Sequence, residues 1–95
     1  MSDDITTMRV VIGGQVQGVG FRDFVCREAS GLGLNGWVRN RRDGTVEAVI
    51  SGDDRKVKDL IQKCTRGPAS ARVTHIDLEK TNPPAEQGFS PRPTL

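Results

Sequence analysis

Two stretches of this chain repeat their apolar residues every three to four positions, and each is flanked by short runs rich in β-branched residues. That order of periods limits the folds open to 95 residues more than any single motif does. Met8–Gly13 (MRVVIG) is apolar, β-branched and closed by glycine, the pattern of a central strand. From Phe21 the apolar residues Phe21, Phe24, Val25, Ala29 and Leu32 share one helical face, and Gly33 stands where a C′ glycine would end the helix. Asn35–Arg41 and Thr45–Ser51 read as two strands joined by a turn at Arg42-Asp43-Gly44. Gly52-Asp53-Asp54 opens a second helix with acidic side chains at its positive end. Val57, Leu60, Ile61 and Cys64 form its buried stripe, and Gly67-Pro68 stops it. Ala71–Lys80 is a fourth strand. Gly88–Pro93 is a short fifth, confined to an edge by Pro91 and Pro93.

The predicted order is β-α-β-β-α-β with a C-terminal extension. Split βαβ units of this kind give an α/β (α+β) two-layer sandwich, one antiparallel sheet with both helices on one face. A right-handed crossover makes the first two strands parallel, with the third between them. The register of the central hairpin also follows. A three-residue loop ending in a left-handed glycine sets Arg39 opposite Glu47 and gathers Val38, Asn40, Val46, Ala48 and Ile50 on one face. A two-residue loop would place Glu47 on the face of Val38. The first register pairs opposite charges and collects the apolar residues, and is the one expected.

This topology has a chemical consequence. The end of the first strand, the start of the first helix and the end of the second strand share one edge of the domain. Residues 14–20, a loop crowded with glycine and glutamine, should therefore lie near Arg22 and Asn40. A glycine-rich loop entering a helix N-terminus offers several N–H groups to one concavity, which suits an anion. A cation in the first turn opposes the helix dipole. An anion held between Arg22 and the backbone donors removes that conflict, and arginine grips phosphate with a bidentate fork. On composition alone the loop is equally a tight turn with a solvent-facing arginine. Asn40 is either a strand-end asparagine opening a turn or a neutral amide that orients a water or substrate oxygen.

Composition excludes little but narrows the partners. The net charge of +2, with pI near 8.8, is too mild to require nucleic acid and fits a small anion. No apolar run is long enough to span a membrane, and the acidic, polar start MSDDITT does not resemble a signal peptide. The expectation is a cytoplasmic, monomeric protein, with residues 1–7 a flexible tail and residues 8–95 a single domain. Cys26 and Cys64 fall in the two helices with no zinc spacing; buried thiols and a disulfide both stay open. His75, the one histidine, lies in the fourth strand away from the expected site. Arg39, Arg41 and Arg42 read as a solvated face. No carboxylate pair, metal set or nucleophile–histidine couple is visible, so any catalysis must need little acid–base help. Neither a Walker sequence nor a GxGxxG fingerprint is present.

These residues resemble a known family. GQVQGVGFR (Gly14–Arg22) and GWVRNRRDGTVE (Gly36–Glu47) are similar to the acylphosphatases. The likeness continues through the second helix, PASARV (Pro68–Val73) and GFSPRPT (Gly88–Thr94). It implies a ferredoxin-like sandwich that hydrolyses acyl phosphates to a carboxylate and phosphate with no metal or other cofactor. It also implies a phosphate-binding loop of Gln15, Val16, Gln17, Gly18, Val19 and Gly20, with Arg22 as the phosphate-binding arginine and Asn40 as the water-positioning asparagine. Pro91 departs from the family's pattern, in which a ladder donor is usual. The sequence shows neither the zinc-finger nor the transferase segments that follow the related module of hydrogenase-maturation carbamoyltransferases, so a free-standing enzyme is expected. Two other uses of such a fold compete with this one. RNA-binding sheets stack bases on central-strand aromatics, which are missing here. A non-catalytic, phosphate-binding regulatory module is the alternative to the enzyme.

Overall fold

The computed structural model describes residues 4–95. Met1 to Asp3, the start of the expected tail, lie outside the described residues. The elements run β1 (Ile5–Gln15), α1 (Phe21–Gly31), β2 (Asn35–Asn40), β3 (Val46–Asp53), α2 (Asp54–Cys64), β4 (Arg72–Lys80) and β5 (Phe89–Pro91). They form one sheet in the order β4-β1-β3-β2-β5. The ladders β4–β1, β1–β3 and β3–β2 are antiparallel, so β1 and β2 are parallel with β3 between them, as expected.

Both helices cover one face of the sheet. Val10, Ile12, Val38, Val46, Ala48 and Ile50 alternate inward from the strands and meet Phe21, Val25, Ala29, Val57, Leu60 and Cys64 in a single buried cluster. Burying each large side chain contributes roughly 1.5–3 kcal/mol. Arg39 stands opposite Glu47, so the three-residue hairpin register is the one adopted. Two backbone bonds close the hairpin turn: Arg41 N–H to the Thr45 carbonyl at 2.9 Å and Gly44 N–H to the Arg41 carbonyl at 3.1 Å.

The helix ends follow their signals. Gly33 N–H reaches the Ser30 carbonyl and Leu34 N–H the Ala29 carbonyl, the paired bonds of a Schellman motif with glycine at C′. At the start of α2 the Asp53 side chain accepts the Arg55 N–H at 3.0 Å.

Three features differ from the sequence reading. β1 begins at Ile5, because β3 extends to Asp53 and supplies partners for Ile5, Thr6 and Thr7. Residues 5–7 therefore belong to the strand, not to a tail. β5 joins β2 in parallel, and Pro91 causes no conflict there. Gly88 O and Arg92 N bond to β2, at 2.9 Å from Gly36 N and 2.8 Å to Val38 O. Backbone groups alternate sides along a strand, so the nitrogen of Pro91 faces the open edge. Arg39, finally, is no solvated residue. Its Nε lies 2.7 Å from Glu47 Oε1, and its guanidinium stacks 4.6 Å from the centre of the Trp37 ring.

Candidate active site

The loop between β1 and α1 is shaped by two glycines. Gly18 and Gly20 have φ of 73° and 79°, a left-handed conformation that costs other residues roughly 1–2 kcal/mol. A Cβ at either position would meet nothing within 4 Å, so conformation and not space demands glycine there. Gly20 is the N-cap of α1 and provides no side-chain cap. The contrast with α2, capped by Asp53, is informative. Among the described residues, the N–H groups of Gln17 through Asp23 find no protein acceptor. The first turn of α1 and the loop before it thus keep their donors for something else.

Phe21 fixes where that turn begins. It is buried, its ring meets Phe24 edge-on at 5.9 Å, and Gly67 approaches so closely that a Cβ there would lie 2.5 Å from Phe21 Cε2. With Phe21 anchored inward, Arg22 falls on the exposed side.

Asn40 is the last residue of β2, opposite Val46. A cavity of about 110 Å³ lies between strand end, loop and helix start, lined by Val16, Gly18, Gly20, Phe21, Arg22, Asp23 and Asn40. Topology therefore brings together the loop, Arg22 and Asn40. Among the described residues, no hydrogen bond or ion pair engages the Arg22 guanidinium or the Asn40 amide.

The other residues of the expected loop stand around this cavity and do not line it. Gln15 ends β1 opposite Arg72. Val19 packs against the core and lines a neighbouring groove with Asp23, Cys26 and Pro68. The Gln17 side chain turns away, and its Nε2 donates to the carbonyls of Arg41 at 2.7 Å and Thr45 at 2.9 Å. Sequence reasoning missed this link. It also missed Asp23, which lines the cavity with Arg22; its place in the first helical turn was the available signal.

Other titratable groups lie elsewhere. His75 faces Gly13 across the β1–β4 ladder, and the missing Cβ of Gly13 is what makes room for the imidazole. Val11 and Gly13 point away from the helices, so His75 belongs to the opposite sheet face. Cys26 and Cys64 are free thiols. Burial pushes Cys64 up to about 12, with Glu28 adding to it; burial and then Asp23 raise Cys26. Neither is a ready nucleophile. Among the described residues, no group of three or more His, Cys, Asp or Glu is arranged to hold a metal ion. No helix is long and apolar enough to cross a membrane.

The arrangement offers a small anion a bed of backbone N–H groups, a guanidinium and a neutral amide. Comparison with known proteins finds relatives in sequence and in structure. The acylphosphatase family model matches residues 8–91. An acylphosphatase from Acidiphilium cryptum is 51% identical over 85 residues, covering 90% of this chain and 93% of that protein. The structure of an acylphosphatase from Coxiella burnetii superposes with a TM-score of 0.89 at 33% identity, over 97% of this chain and 100% of that one. The Bacillus subtilis acylphosphatase gives 0.86 at 33% identity, over 94% and 99%.

Proposed function

The chain belongs to the acylphosphatase family of hydrolases, and on that premise we propose that the cavity at Arg22 and Asn40 is where an acyl phosphate is hydrolysed, without a metal ion. The observation that carries this reading is one 110 Å³ cavity lined by Arg22, Asn40 and a loop with unspent N–H donors. The phosphoryl group rests on the unspent backbone donors of the 15–20 loop, those of residues 17–20, and is gripped by Arg22. Asn40 holds a water in line with the scissile P–O bond.

An acyl phosphate is a mixed anhydride whose leaving group is a stable carboxylate, so departure needs no strong acid. Phosphoryl transfer depends chiefly on position and on neutralising charge at the equatorial oxygens. The water oxygen bonds to phosphorus as the bond to the carboxylate oxygen breaks. An amide is a poor proton acceptor, so the water's proton passes to a phosphoryl oxygen. Histidine and thiol are then not required, which fits the distance of His75 from the cavity and the raised thiols.

We read residues 5–95 as one cytoplasmic, monomeric catalytic domain that does not bind nucleic acid. Trp37, the aromatic on the open sheet face, is already stacked between Arg39 and Arg92, at 4.6 and 4.7 Å. Hydrolysis of benzoyl phosphate in excess chelator tests the proposal. Turnover is expected in the wild type, and Arg22→Ala should lower kcat/KM by at least about a hundredfold. A well-folded wild type that binds the compound without turning it over would leave a binding module.

A further inference from the structure

The Gln17 amide is the one hydrogen-bonded link, among the described residues, between the loop of residues 15–20 and the hairpin whose first strand ends at Asn40. One nitrogen makes both bonds, reaching residues 24 and 28 positions away. The acceptors matter. The Arg41 carbonyl belongs to the residue that follows Asn40. The Thr45 carbonyl is the one that accepts Arg41 N–H in closing the hairpin. An amide NH₂ has two hydrogens and both are used here. Fixing Arg41 on both its carbonyl and its N–H side fixes the end of β2, and hence the root of Asn40, relative to the loop. The Gln17 backbone N–H faces a different task and is unspent.

We propose that the side chain of Gln17 is a positioning residue for hydrolysis, setting the distance between Asn40 and the phosphate bed. Gln17 does not touch the substrate through this amide. Its effect is on the water that Asn40 holds, not on the grip of Arg22. This inference rests on the reading of Asn40 given above. Small displacements of a positioned group lower turnover strongly, about a hundredfold for an ångström.

The test is a double-mutant cycle on Gln17→Met, Asn40→Ala and the pair, with inorganic phosphate as competitive inhibitor and a thermal melt for each protein. Gln17→Met should lower kcat about 10- to 100-fold while the phosphate inhibition constant moves less than about threefold. In the Asn40→Ala background the same change should cost less than about twofold, because the group it positions is gone. Losses that multiply would overturn the inference and leave Asn40's role standing. Wild-type turnover in Asn40→Ala would overturn both. If Gln17→Met does not fold, Gln17→Glu decides the matter. Its carboxylate repels the two carbonyls, whereas its neutral acid donates one O–H. Activity relative to the wild type should recover as pH falls through the titration of that carboxyl; a flat ratio would overturn the inference.

Discussion

Glu47 is almost wholly buried on the sheet face that no helix covers, with 4% of its side chain exposed. Burial would raise its carboxyl, but hydrogen bonds from Arg39 and Arg9, at 2.7 and 2.6 Å, outweigh that and hold it below its ordinary 4.5. Folding therefore favours the ionised form. The stabilisation is present in full above the ordinary value and is lost as pH falls through the depressed folded value. Glu47→Gln should lower the melting temperature at neutral pH, and its gap from the wild type should narrow below about pH 4.5. A gap that stays constant with pH would show that the ion pairs contribute nothing specific. The sequence showed the Arg39–Glu47 pair through register. It did not show Arg9, which joins from a strand 38 residues away in the chain.

At the scale of elements, the two helix starts do opposite things. α2 is capped by its own aspartate, whereas α1 opens with a left-handed glycine and keeps its donors. Gly20→Ala should therefore act twice. It should destabilise the fold by roughly 1–2 kcal/mol, the cost of a left-handed alanine, and weaken inhibition by phosphate as the loop relaxes. An alanine variant with unchanged stability and inhibition would mean that this backbone shape is not needed. Much of the loop's shape was legible, because clustered glycines before a helix mark a turn with positive φ and Arg22 is out of place against the dipole. The role of the Gln17 side chain was not legible. Its acceptors are backbone carbonyls, which every residue has, and only the folded hairpin selects Arg41 and Thr45.

For the whole molecule, connectivity is what assembles the site. A right-handed crossover and a hairpin oblige the end of β1, the start of α1 and the end of β2 to meet at one edge, and the loop leaving β1, the start of α1 and the end of β2 all line the cavity. That much follows from periods of 2 and 3.6 in the sequence. The early start of β1 does not, because Ile5–Thr7 become a strand only when β3 runs on to Asp53 beside them. The parallel seating of β5 depends likewise on an edge that exists only after β2 is in place. The division of labour at that edge is the central claim: Arg22 and the loop hold phosphate, and Asn40 holds water. It is tested most directly by calorimetric titration of inorganic phosphate into Asn40→Ala, alongside its turnover of benzoyl phosphate. Phosphate affinity within about threefold of the wild type with turnover lost is the predicted result. Weakened phosphate binding with turnover intact would contradict it.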